Sequence, residues 1–345
     1  MKQNKFHKNF KLNGVSFSSV DEILTHSRFF SDDIHHFLEN WFSEDDFILV
    51  QTSGSTGIPK KIKLQKKQMV QSAFATGNYF NLLENTTALL CLSAEYIAGK
   101  MMLVRALTLG WHLDVVPPIS NPLNEIDKKF DFAAMVPLQL ENSLKLLEQI
   151  KTLIVGGGVV SKNLQDKIQN SNCNVFATFG MTETITHIAL KKLNNNRIKP
   201  VFYEVLPNVE IFKDDRNCLV IKAEKVSDEI VFTNDVVNLI SETQFEWLGR
   251  FDNVINSGGV KLQPEKIEKE LSKVIPNRFF VIGVTNEKLG EKLILIIEGK
   301  KTMFNLDNVK LSKYEVPKEI YFIDKFKETE TKKIQRKKTL DLVRF

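Results

Sequence analysis

Five short segments of this 345-residue chain carry side chains whose types and spacing suit chemistry on phosphates and sugars. Thr52–Lys60 reads TSGSTGIPK, with hydroxyls at Thr52, Ser53, Ser55 and Thr56, glycines at Gly54 and Gly57, and the cation of Lys60. Such a loop can wrap an oxyanion with side-chain O–H and backbone N–H groups. It is not a Walker loop, because Pro59 stands where the second glycine of G-x-x-x-x-G-K-[ST] belongs. On composition alone a plain Ser/Gly turn accounts for it equally well. Thr178–Thr184 reads TFGMTET: Phe179 offers a ring face to a base, Thr182 a donor to phosphate, and Glu183 a hard oxygen for Mg²⁺. Asp235 and Arg250 are a carboxylate and a guanidinium suited to ribose hydroxyls, or else two unrelated surface residues. In Leu248–Glu268, LGRFDNVINSGGVKLQPEKIE, the pair Gly258 and Gly259 after Ser257 permits a close backbone approach, with Lys261 beside it. Thr331–Arg336, TKKIQR, brings Lys333 on a terminal loop that can neutralise developing charge, or is simply a solvated basic tail.

Elements must hold these segments. Phe47–Gln51 reads as a buried strand running into the first loop, and Lys66–Phe80 after it has the length and spacing of a helix. Short helices are expected at Ser19–His26 and Asp32–Trp41. Strand patterns follow at Ala88–Leu92, His112–Val116, Phe132–Met135, Thr152–Val155 and Asn174–Thr178, with helices at Gly99–Thr108, Leu138–Gln149 and Lys162–Ser171. That alternation predicts a largely parallel, covered sheet. Val209–Phe212, Cys218–Lys222, Glu229–Thr233 and Val236–Ile240 predict a more antiparallel β subdomain. From Asn253 the expected order is a hairpin, helix Pro264–Val274, strands Arg278–Thr285 and Lys292–Glu298, a helix, a strand and a lysine-rich tail. The fold class is α/β: a large N-terminal domain, residues 1–251, of mixed and parallel sheets, helices and a β subdomain, then a small mobile α+β domain, 252–345.

Composition excludes several classes. A net charge of +5 is too mild to demand nucleic acid, but suits phosphate-bearing small molecules. Three separated cysteines make neither a disulfide framework nor a zinc spacing, so a reducing, cytoplasmic location is expected. The N-terminus lacks the apolar stretch of a secretory signal, and no run reaches the roughly 18 apolar residues of a membrane span.

Taken together and in order, the five segments resemble the adenylate-forming superfamily of acyl- and aryl-CoA ligases, adenylation domains and luciferases. TSGSTGIPK resembles its phosphate loop, TFGMTET its Y-G-M-T-E segment, and TND with LGRFD and NSGGVKLQPEKIE its ribose-binding and hinge segments. TKKIQR resembles its terminal G-K-x-x-R motif, with Lys332 in place of the glycine. The resemblance implies ATP, Mg²⁺ and, as co-substrate, coenzyme A: an acid becomes an acyl-adenylate, and a thiol then displaces AMP. It further implies pyrophosphate on Thr52–Lys60, adenine on Phe179, phosphate on Thr182 and Mg²⁺ on Glu183. Ribose falls to Asp235 and Arg250, the pivot to Asp252, adenylation to Lys333, and the thiol's path to Ser257–Lys261.

Two further runs resemble the o-succinylbenzoate–CoA ligase branch of menaquinone synthesis. These are IVGGGVVS, centred on Gly157, and YIAGKMMLVRAL, which places Lys100 and Arg105 on one side of a helix, either one of them as the cation for a second substrate carboxylate or both as ordinary exposed helix charges, and Tyr96 as a gate to the acid pocket or simply a packed tyrosine. Ser161 excludes a G-x-G-x-x-G reading of the first run. Other acyl- or aryl-CoA ligases, an adenylation enzyme loading a carrier protein, and a nucleotide-binding relative that has lost turnover are the alternatives. With only 51 residues before the phosphate loop, the chain is expected to be a reduced form of the fold.

Overall fold

The computed structural model describes residues 6–51, 61–196, 200–306, 309–329 and 334–343. Three sheets organise them. The largest is mixed, and its parallel block runs, in spatial order, Asn174–Gly180, Ile150–Val155, Phe130–Met135, Thr87–Leu90 and His112–Val115. The central strands carry short apolar runs, Ala88–Cys91, Phe132–Met135 and Leu153–Val155, because both of their faces are covered there. Ala88, Leu90, Phe132 and Ile154 enter a core with the helices Lys66–Phe80 and Ile97–Leu109. Leu89, Cys91, Ala133, Leu153 and Val175 face the opposite core, with Leu140, Leu147 and Leu164.

Beyond Asn174–Gly180 the same sheet turns antiparallel through His187–Lys192, Tyr203–Val205, Gln244–Arg250, Val231–Leu239, Cys218–Lys222 and Glu210–Lys213. The last parallel strand therefore borders the first antiparallel one, and ligand sites of open α/β sheets favour strand C-terminal ends at such changes of direction. Ile255–Ser257 opens a separate five-stranded sheet with its own core around Ile267, Leu271, Val281 and Leu295.

Several elements differ from expectation. Glu229–Thr233 and Val236–Ile240 form one strand, Val231–Leu239, because an irregularity of register between Val236 and Val237 absorbs the polar Asn234–Asp235 step without ending the pairing. Leu138–Gln149 divides into an α-helix, Pro137–Asn142, and a 3-10 helix, Leu144–Gln149. Phe47–Gln51 is buried on one side only, pairing with Lys61–Gln65 as a hairpin apart from the main sheet. Among the described residues between Glu298 and Glu319 there is no helix. None of the described helices is long and apolar enough to cross a membrane.

Candidate functional site

The TFGMTET run begins on the last parallel strand and leaves it at its C-terminal end. Thr178 donates to the Val155 carbonyl at 3.3 Å, tying this strand end to the adjacent one where Gly156 and Gly157 begin. Gly180 is obligatory: a Cβ there would lie 2.1 Å from the Thr186 carbonyl oxygen. Thr182–Thr184 forms a single 3-10 turn that leaves the Glu183 carboxylate exposed. Ile185 follows at φ 65°, ψ −62°, and Thr186 N–H donates to the Thr184 carbonyl at 2.7 Å. That is a γ-turn with positive φ, a rare and strained conformation for a β-branched residue. Every other non-glycine residue with positive φ among those described is an asparagine. The Ile185 side chain is 1% exposed, so its burial holds the turn.

Phe179 is half-buried, edge-on to Phe245 at 5.0 Å and to Tyr203 at 5.8 Å. It thus packs against the antiparallel strands. Burial, reinforced by the Asp235 charge, pushes the Tyr203 phenol up to about 12.

Asp235 and Arg250 meet, because they are register partners on two antiparallel strands. Their side chains stand 3.6 Å apart, Trp247 Nε1–H donates to Asp235 Oδ1 at 2.8 Å, and Arg250 Nη2 donates to Asp252 at 2.9 Å. Asn234 Nδ2 also donates to Asp252 at 3.1 Å, and Arg216 bonds Asn234 Oδ1 at 2.8 Å and the Thr233 carbonyl at 3.0 Å. Burial raises the Asp235 carboxyl above its ordinary value; Trp247 and Arg250 oppose the rise, and Asp252 adds to it. Trp247, Asn234 and Arg216 were not singled out from sequence. Trp247 lay inside the FEWLGRFD run, and only strand pairing shows that it faces Asp235.

Lys100 and Arg105 do not share a side of their helix. Five residues at about 100° each leave them about 140° apart. Lys100 Nζ bonds the carbonyls of Ala94 and Glu95 and lies 5.6 Å from the Phe37 ring centroid, so its donors tie down the turn before Tyr96. Asp33 holds the same turn, accepting from Ser93 Oγ at 2.5 Å and Glu95 N–H at 3.1 Å. Tyr96 itself is half-buried at the N-cap of the helix. Arg105 instead points into the core, 1% exposed, with Nε on Thr76 Oγ1 at 3.2 Å and Nη1 on Met102 Sδ at 3.6 Å. Its Nη2 has no partner, and no carboxylate forms an ion pair with it among the described residues. Burial lowers its pKa to about 9, leaving it charged at neutral pH.

His187, also unmarked in the sequence reading, is 5% exposed, and neither ring nitrogen has a partner among the described residues. Burial, and then the Arg105 charge, push it down to about 3. Its only sequence signal was a polar residue opening the otherwise apolar HIAL.

Gly258 and Gly259 have φ of 59° and 80° and join Ile255–Ser257 to Val260–Leu262, the geometry of a two-residue I′ hairpin turn; Lys261 is exposed beside it. Arg336, the arginine of TKKIQR, bonds Glu268 at 2.8 Å and the Val281 carbonyl at 3.1 Å. Thr52, Ser53, Gly54, Ser55, Thr56, Gly57, Lys60 and Lys333 lie outside the described residues. Among those described, no cluster of three or more His, Cys, Asp or Glu side chains can hold a metal ion. A single exposed carboxylate such as Glu183 fits Mg²⁺ when substrate phosphates supply the other ligands, which is how Mg²⁺ is commonly bound.

A mixed sheet with these motifs at the end of its parallel block is the fold of the adenylate-forming enzymes, and the chain belongs to the AMP-binding enzyme family, whose model matches residues 6–227. Within that family it is similar to an acyl-CoA synthetase (AMP-forming)/AMP-acid ligase II-like protein from Dyadobacter fermentans DSM 18053. Identity is 38% over 90% of this chain and 93% of the other, with a TM-score of 0.61. It is 24% identical to the 2-succinylbenzoate–CoA ligase of Bacillus cereus (strain ATCC 10987 / NRS 248), over 88% of this chain and 72% of that protein. The o-succinylbenzoate CoA synthetase (MenE) of Bacillus subtilis, solved with the acyl-adenylate intermediate OSB-AMP, has a TM-score of 0.73. It is 19% identical, over 94% of this chain and 81% of that one, and so speaks to the fold.

Proposed function

We propose that this protein joins 2-succinylbenzoate to coenzyme A, with ATP cleaved to AMP and pyrophosphate. The observation that carries the choice of acid is Arg105: a buried guanidinium with donor capacity left over and, among the described residues, no carboxylate paired with it. A buried cation in that state is costly unless a ligand supplies the anion. A dicarboxylic acid does so, offering one carboxylate to Arg105 and the other for activation. Lys100, already bonded to two carbonyls, holds the Tyr96 turn instead.

In the first step a carboxylate oxygen attacks the α-phosphorus and pyrophosphate leaves. In the second, a thiol attacks the acyl carbon and AMP leaves. Asp235 and Arg250 hold the ribose hydroxyls, Thr182 contacts phosphate, Phe179 borders the adenine, and Glu183 ligates Mg²⁺, which neutralises phosphate charge. The loop Thr52–Lys60 takes pyrophosphate, and Gly157 lies against the nucleotide. Lys333 offsets the repulsion between carboxylate and phosphate during adenylation. Rotation of residues 252–345 about Asp252 then exchanges Lys333 for Ser257–Lys261, so that one site serves two geometries in turn.

The purified protein, given ATP, Mg²⁺, coenzyme A and 2-succinylbenzoate, is expected to yield AMP and a new thioester in equal amounts. Turnover of fatty or simple aromatic acids, with none of 2-succinylbenzoate, overturns the substrate assignment. Transfer to a carrier protein with none to coenzyme A overturns the acceptor.

A further inference from the structure

We infer that His187 is a specificity-determining residue that hydrogen-bonds an uncharged oxygen of the acid, while Arg105 takes its distal carboxylate. The inference rests on the dicarboxylate reading above and goes beyond it, since it assigns a second recognition point and the chemistry read there.

Three observations converge. His187 is 5% exposed, with both ring nitrogens unpartnered among the described residues. Buried polar groups are nearly always bonded, so two bare nitrogens on one ring call for a partner that the described residues do not provide. Second, the helix Ile97–Leu109, which carries Arg105, shares one core with Ile185, two residues before His187, and with Leu190 on the His187–Lys192 strand, and the Arg105 charge adds to the lowering of His187. Third, His187 is the register partner of Gly180, in the motif that ends the last parallel strand. The His187 backbone therefore lies one strand spacing from the backbone that leads into Thr182 and Glu183.

Burial, and then the Arg105 charge, keep the imidazole neutral, so one nitrogen donates and the other accepts. Beside a cation, the ligand atom facing that donor is an oxygen acceptor. Arg105 has the stronger claim on a carboxylate, which leaves a ketone or a similar neutral acceptor for His187. In 2-succinylbenzoate a ketone joins the ring bearing one carboxylate to the chain bearing the other, so both features occur in one acid. A methylene in that place leaves the buried donor bare, which is the penalty that makes such sites selective.

The test is kcat/KM for acid-dependent ATP–pyrophosphate exchange with four acids: 2-succinylbenzoate, its counterpart with methylene for ketone, 4-oxo-4-phenylbutyrate and 4-phenylbutyrate. In the wild-type protein the keto acid of each pair is expected to be favoured roughly 10- to 100-fold. His187→Leu is expected to bring that ratio close to one, through KM. His187→Gln, which keeps an amide donor, is expected to restore part of it, a rescue that a merely structural histidine would not show. A wild-type ratio near one overturns the inference, and so does a ratio that His187→Leu leaves unchanged. The ring-carboxylate comparison is separate. If removing that carboxylate has no effect in the wild-type protein, the dicarboxylate reading fails, while the ketone pairs still decide the role of His187.

Discussion

The cluster around Asp235 and the region around Arg105 handle buried charge in opposite ways. Asp235 has Trp247 and Arg250, Arg250 has Asp252, and Asp252 has Asn234, which Arg216 supports in turn. Each group is bonded before any ligand arrives. Arg105 and His187 are more deeply buried, yet three of their nitrogens have no partner among the described residues. A network satisfied from within is rigid and preorganised, and it suits a ligand common to every turnover. An unsatisfied pair loses stability in the free protein and recovers it on binding, which suits the part of the substrate to be discriminated.

The largest expected break in this contrast is Arg105→Met. Losing a charge-assisted bond to substrate, worth about 1.5–3 kcal/mol, should lower kcat/KM for 2-succinylbenzoate about 10- to 100-fold. The same change removes a buried, incompletely bonded charge, so the urea midpoint should hold or rise. Lost activity together with a fall in stability would mean that Arg105 is structural. pH sharpens the contrast next. His187 is depressed to about 3 in the fold against an ordinary 6.5, so between those values the unfolded chain binds the extra proton. Its contribution to stability is complete above pH 6.5 and is lost as pH falls towards 3. Urea unfolding from pH 7 to pH 4 should therefore show a decline that His187→Gln makes shallower. An identical decline in both proteins contradicts the neutral, buried histidine.

On the satisfied side, Trp247→Phe removes one neutral donor from Asp235, worth about 1 kcal/mol, and should raise KM for ATP about fivefold. It should leave the preference among acids alone, and a change in that preference would dissolve the distinction between the two regions. The smallest effect belongs to Ile185. Glycine is ordinarily worse than alanine, but at φ 65° the order should invert. Ile185→Gly is expected to be more stable than Ile185→Ala by about 1 kcal/mol in urea unfolding.

What the sequence could show follows the range of the interactions involved. Strands buried on both faces announced themselves as short apolar runs, Phe132–Met135 and Leu153–Val155 among them, and the helix expected at Lys66–Phe80 has those bounds. The separation of Asp235 from Arg250 along the chain hid nothing, because each lay in a motif with a recognisable neighbour. Trp247 and Arg216 were invisible because strand pairing alone turns them towards Asp235 and Asn234. Lys100 and Arg105 were legible as cations but not as different kinds of cation: helical rotation sends one to the turn at Ala94–Glu95 and the other into the core. His187 was illegible for a related reason. A single histidine on an apolar strand is usually a bonded core residue, and only the absence of a partner among the described residues marks this one.

The central claim is that an acid is activated on ATP beside Arg105, before any thiol takes part. Exchange of labelled pyrophosphate into ATP, measured without coenzyme A, tests it most directly. Exchange is expected to depend on 2-succinylbenzoate in the wild-type protein and to fall about 10- to 100-fold in Arg105→Met. Exchange that needs coenzyme A, or that proceeds equally well in Arg105→Met, would contradict it.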